Sequence, residues 1–249
     1  MGKQKPRFFI GRIGNCVYYM WRDIYCMRTI PEHPHQCEKV KLQSAYNGRS
    51  TSLGKPFREL LNSAIPFPLD MNMQTHLRLY LQKWMKAQDT PGAMQGISPA
   101  WQWELSLNAD APLPSILRVP IQVLQPQQDI LRLEIPPLVP TEAIKAPLGT
   151  TAVHWKIVSA CCDTQQLAAM GNNMYEFTMM YDNQALPGQT IELPLQSGEG
   201  LLTLVVVALR FETAGMQVTD KRWLPCDVVG GVGGRVAAVL NPLQREAVL

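Results

Sequence analysis

LLTLVVVAL, residues 201–209, is the most continuously apolar stretch of the 249-residue chain, and the fold is read from what it can be. A bilayer-spanning helix needs about 20 apolar residues, so nine argue for a strand buried on both faces. TAVHWKIVSACC, 151–162, is of the same kind. Around these two lie WQWELSL (101–107), ILRVPIQVL (116–124), ILRLEI (130–135), MYEFTMMY (174–181), QTIELPL (189–195) and MQVTDKRW (216–223), separated by Pro, Gly, Asn and Asp. Short β-rich segments at such spacing predict an antiparallel β-sandwich of immunoglobulin-like kind over 101–228, with 151–162 and 201–209 as central strands. The prolines between Pro112 and Pro147 suit edge strands and open turns, because proline cannot donate to a central ladder.

Upstream the pattern changes. NCVYYMW (15–21) and IYCMRTI (24–30) read as a β-hairpin turning at Arg22-Asp23. Alternation sends Cys16, Tyr18 and Met20 to one face and Val17, Tyr19 and Trp21 to the other. Residues 36–52 suggest a helix, interrupted at Gly54-Lys55-Pro56, with Pro56 opening a second one that carries Phe57, Leu60 and Leu61. Asp70 suits an N-cap, followed by Met73, Leu77, Tyr80, Leu81 and Trp84 at helical spacing. The expected organisation is a hairpin-plus-helices module (1–90), a linker (91–100), the sandwich (101–228), and a Gly-rich connector with a tail (229–249). The whole is mainly β, α+β overall.

Charge separates along the chain. Residues 1–90 carry 14 Lys and Arg against 6 Asp and Glu, whereas the remainder carries 9 against 14. The basic part is either a solvated face or a polyanion contact. Arg12, Tyr18, Tyr19, Trp21, Arg22 and Arg28 are its candidate binding residues, since cations interleaved with aromatic rings suit both stacking and phosphate contact.

The opening also carries a family likeness. Gly11, Gly14, Asn15, Tyr18, Tyr19 and Trp21, with Arg28-Thr29-Ile30-Pro31, resemble the N-terminal G-x-x-G-N-V-V-Y-Y-x-W hairpin and R-S-x-P of a domain-of-unknown-function family of Bacteroidota proteins. Gln43 and Arg49 in the helical stretch, and LVVVALRFETAGMQVTDKRW near the end, are similar in kind to that family's later parts. Cys16 and Met20 depart from the usual Val and Lys. The resemblance implies a hairpin followed by helices and a β-rich half, and no activity.

Catalytic and metal signatures are thin. His33, His35 and Cys37, with Cys16 or Cys26 near, are the one compact set of metal-capable residues. His-x-His-x-Cys is not a standard zinc spacing, and Pro34 restricts how the rings converge, so an exposed loop is expected and no metal or other cofactor. Cys161, Cys162 or Cys226 with His154 as base would be a cysteine-dependent enzyme, without any accompanying nucleophile motif. VVGGVGGRVAAV (228–239) lacks both nucleotide-loop spacings. No secretory leader is evident, and the six cysteines are expected reduced in a cytoplasmic protein of a bacterium or its phage. The expected role is non-enzymatic binding or assembly, with a protein partner or a second copy and no membrane. Nucleic-acid binding through residues 1–90 is the alternative.

Overall fold

The computed structural model describes residues 3–5, 8–30, 37–62, 65, 71–89, 100–127, 129–196 and 198–233. His33, His35, Asp70, the linker before Ala100 and the tail after Gly233 lie outside them. Two compact units divide at Gln43/Ser44.

The first unit is an antiparallel meander: β1 (Lys3–Lys5), β2 (Phe8–Ile13), β3 (Cys16–Trp21) and β4 (Ile24–Thr29), in the order β1-β2-β3-β4. The β3–β4 hairpin turns at Arg22-Asp23 as the sequence predicts. Both residues take left-handed backbone angles (φ 48° and 63°), which gives the twist a two-residue hairpin prefers. A left-handed arginine costs roughly 1 kcal/mol, and its guanidinium stacks on Trp21, 5.0 Å from the ring centre, which offsets part of that.

α1 (Glu38–Asn62) starts in the first unit and runs into the second; α2 (Met71–Asp89) follows. Gly54 and Pro56 do not break α1, contrary to the sequence reading. Leu53, Pro56, Phe57 and Leu61 are buried along it, and that burial outweighs the one helical hydrogen bond that proline removes. Gly54 faces α2 without being required for its approach: a Cβ there would sit 3.9 Å from Leu81 Cδ1, an ordinary contact. Gln82 Nε2 donates to Asn47 Oδ1 (2.7 Å) and Arg58 Nη1 to Gln74 Oε1 (2.6 Å), closing the helix pair.

The β-rich part contains β5 (Ala100–Ser106), a short α3 (Leu113–Ile116), β6 (Gln122–Gln127), β7 (Ile130–Ile135), a short α4 (Pro140–Ala143), β8 (Thr150–Asp163), β9 (Ala168–Met180), β10 (Gln189–Pro194), β11 (Leu201–Thr213), β12 (Met216–Gln217) and β13 (Cys226–Gly233). A three-stranded sheet, β10-β7-β6, faces a six-stranded one, β5-β13-β11-β8-β9 with β12 on β11. This is the expected antiparallel sandwich, with β8 and β11 central. Of ILRVPIQVL only the end joins β6, and of MQVTDKRW only Met216 and Gln217 pair.

β11 shows how one strand serves two cores. Leu202, Leu204, Val206 and Ala208 point to a core shared with Tyr46, Leu53, Phe57, Leu77, Leu81 and Trp84 of the helices. Val205, Val207, Leu209 and Phe211 point to a second core with Leu131, Leu133, Ile191 and Leu193 of the smaller sheet. From Ser44 on, the helices therefore belong with the β-rich unit, and composition alone misassigns them to the hairpin. Leu77 and Trp84 of α2 pack on the six-stranded sheet. Residues 229–233, expected in a connector, are strand and lie between β5 and β11.

Candidate binding surface

The register of the first unit sorts its side chains. Arg12 lies opposite Val17, and Val17 opposite Arg28; Tyr19 faces Cys26 and Trp21 faces Ile24. Paired residues share a face, so Arg12, Arg28, Tyr19 and Trp21 stand on one side, with Arg22 stacked at its tip. Arg28 lies over Tyr19, 6.0 Å from the ring centre, and Arg12 Nε donates to the Gly14 carbonyl at 3.0 Å. Trp21 is 57% exposed and Tyr19 38%. Five of the six residues singled out in the sequence thus converge.

Tyr18 does not join them. It pairs with Gly11 and Met27 on the opposite side and meets Phe9 edge-on, ring centres 5.9 Å apart. Ile13 (57% exposed), Met20 (41%), Tyr25 (40%) and Met27 (60%) share this second face. No described residue with a side chain on this face is charged. From Phe9 to Ile30 nothing is buried, so the sheet presents a basic aromatic face and an apolar one with no core between them.

The cysteine-enzyme arrangement is not assembled. Burial raises the pKa of Cys161, Cys162 and Cys226, which disfavours the thiolate that reacts. Cys161 points to the face opposite His154, and Cys162 lies eight residues along the strand, about 26 Å away. His154 instead bridges neighbouring strands: Nδ1 meets Thr178 Oγ1 at 2.8 Å and Nε2 meets Glu212 Oε2 at 2.9 Å. Sequence reasoning missed this trio, whose members are 24 and 58 residues apart. Its order, carboxylate–imidazole–hydroxyl, is that of a hydrolytic triad. The cavity above it measures about 140 Å³, below the ~300 Å³ where small-molecule sites begin. Beside it Lys156 Nζ reaches Glu176 Oε1 at 2.8 Å and holds that carboxyl below its usual range, as in a cross-strand polar cluster.

Cys37 is exposed, and no group of three metal-capable side chains occurs among the described residues. No helix among them is long and apolar enough to cross a membrane. No protein-family model matches the chain, and neither a curated protein nor a solved structure does.

Proposed function

We propose that this protein is a non-enzymatic assembly protein whose N-terminal sheet is a docking element for a second copy of the chain. The supporting observation is that sheet's lack of any buried side chain between Phe9 and Ile30. A single antiparallel layer gains stability when an apolar face is covered, and exposed patches of this composition mark interaction sites. The two faces differ in what they accept. The face with Tyr18, Met20 and Met27 carries no charge and packs on its own copy without repulsion. The opposite face would bring three arginines against three, a like-charge arrangement that costs several kcal/mol. A two-fold pairing through the apolar face therefore fits best. The six cysteines are unpaired, which suits action in the reducing cytoplasm.

Light scattering over a concentration series is expected to show more than one protomer. Met20→Asp with Met27→Asp, both at exposed positions, is expected to shift the protein to monomer without loss of circular dichroism. A strict monomer at the highest soluble concentration overturns the reading.

A second reading rests on the stacked pairs Arg22–Trp21 and Arg28–Tyr19: polyanion binding by the basic face, which self-association leaves outward. Aromatic rings beside guanidinium groups suit single-stranded nucleic acid. Full-length protein is expected to retain an oligothymidylate at low salt, and Arg12→Glu with Arg28→Glu to lower the salt slope by about 1.4. Absence of retention at low salt removes this reading and leaves the first intact.

A further inference from the structure

Past the helices, the face of the six-stranded sheet that they cover turns polar. The helix-covered core ends at Val158 on β8 and Ala208 on β11, and the next side chains on that face are Lys156, His154 and Arg210. Glu176 of β9 lies opposite Lys156, Thr178 of β9 opposite His154, and Arg210 opposite His154 from the other side. With Gln217 of β12 these side chains surround the hollow of about 140 Å³. Too small for an organic substrate, it has room for several waters, and so for an anion of roughly five heavy atoms.

The charges on its wall do not cancel. Arg210 and Lys156 stand against one carboxylate, Glu176, while Glu212 faces His154 and lies outside the wall. Lys156 Nζ uses one of its three donors on Glu176 Oε1, at 2.8 Å. The glutamate side chain is 59% exposed and the lysine 15%, so the ammonium is held at the sheet while the carboxylate can turn to water. Arg210 is half-buried. Its charge, after the hydrogen bond and charge of Lys156, helps to hold the Glu176 carboxyl below its usual range against the opposing effect of burial. Yet Arg210 forms no hydrogen bond or ion pair with any described residue. Its Nε is sealed from water, but Nη1 and Nη2 are not. A half-buried guanidinium with open donors and no acceptor bears a desolvation cost that a bound anion would offset.

We infer that this hollow binds a phosphoryl group, as inorganic phosphate or as the head of a small phosphomonoester. Arg210 presents its two Nη groups as a fork and Lys156 its remaining N–H donors. Phosphate oxygens accept several such charge-assisted hydrogen bonds at once. A phosphoryl group carries about −1.5 to −2 charge at neutral pH, more than a carboxylate, so it competes with Glu176 for Lys156 on favourable terms. His154 keeps its ring nitrogens on Thr178 and Glu212 and serves as wall. The site lies wholly within residues 154–217 and needs nothing from the N-terminal sheet.

The test is a titration of the full chain with sodium phosphate near neutral pH, followed by NMR of arginine and backbone N–H groups. Chloride holds the ionic strength at about 0.1 M throughout. Saturable shifts are expected at Arg210 and the strands beside it, with a dissociation constant of about 1 mM or below. Arg210→Gln is expected to weaken binding by about tenfold or more. Glu176→Gln, at an exposed position, is expected to strengthen it roughly threefold, because the competing carboxylate is gone. A polar cluster with only a structural role predicts no such gain. Arg222→Gln removes the same charge from a 77%-exposed side chain outside the wall and should leave the affinity unchanged. Tighter binding of glycerol phosphate than of inorganic phosphate identifies a phosphomonoester as the ligand; equal or weaker binding identifies the free ion. The inference is overturned by no saturable shift up to about 20 mM phosphate, by equal losses in Arg210→Gln and Arg222→Gln, or by no gain in Glu176→Gln.

Discussion

Trp84→Ala is expected to destabilise the protein by about 3–5 kcal/mol, the usual cost of deleting a fully buried tryptophan, out of the ~5–15 kcal/mol that hold a protein of this kind folded. Trp84 is 2% exposed and sits in the core shared by both helices and the six-stranded sheet. Its ring fills the space over Gly233, where a Cβ would come within 3.1 Å of Cζ2 and 3.2 Å of Leu202 Cδ1. The side chain thus joins α2 to β13 and β11 at once. Urea unfolding followed by far-ultraviolet circular dichroism is the measurement. The midpoint should fall with little change in slope, since the unfolded surface is nearly the same. The result also decides to which unit α2 belongs. Were it part of a hairpin module, as the charge distribution suggests, the loss would leave the sandwich strands unaffected and the main transition would not move.

The strands are legible where side chains alternate. Residues 202–209 carry an apolar group at every position but Thr203, and only burial on both faces accounts for that. The second face then demands a layer. Sequence offers α2, with Met73, Leu77, Leu81 and Trp84 on one stripe, but does not say which sheet receives it. The hairpin is legible for the same reason, and its period of two parts Tyr18 from Tyr19 and Trp21 just as the strand register does. What fails is local chemistry overridden by packing. Pro56 and Gly54 are breakers by propensity, yet Leu53, Phe57 and Leu61, buried around them, keep α1 continuous. Asp227 has no signature at all: its carboxylate is buried and accepts the Leu113 N–H only because α3 folds over it. The His154 trio is equally silent, since its members meet by strand register rather than by spacing. Cross-strand register is a tertiary fact, fixed by turns and bulges far from the residues it brings together.

Gly230→Ala is expected to cost about 2 kcal/mol, within the range for overpacking a core, and its sign is the informative part. Replacing glycine by alanine ordinarily stabilises by roughly 0.4–1 kcal/mol, because the unfolded chain loses freedom. Gly230 pairs with Val205 on one side and Gln102 on the other, next to a bulge at Val228/Gly230. A Cβ there would lie 2.8 Å from both Cβ and Cγ2 of Val123, a buried residue of β6. Val123 Cβ is fixed to its own backbone, so no rotamer change relieves the contact; the two sheets must separate. This is the physical content of the Gly-Gly pair that reads as a connector. Glycine contributes no hydrophobic period, and in a strand it marks close approach by another layer. Gly48→Ala is the internal control: Gly48 is exposed on α1 with nothing within 4 Å of a Cβ, so it should stabilise by about 0.5–1 kcal/mol. Val123→Ala in the Gly230→Ala background removes the Cγ contacts at 2.8 and 3.1 Å but keeps the Cβ contact. The double variant should therefore be less destabilised than the sum of the single ones, with coupling of about 0.5–3 kcal/mol. Additive costs, or a stabilising Gly230→Ala, would mean that β13 does not pass beneath β6.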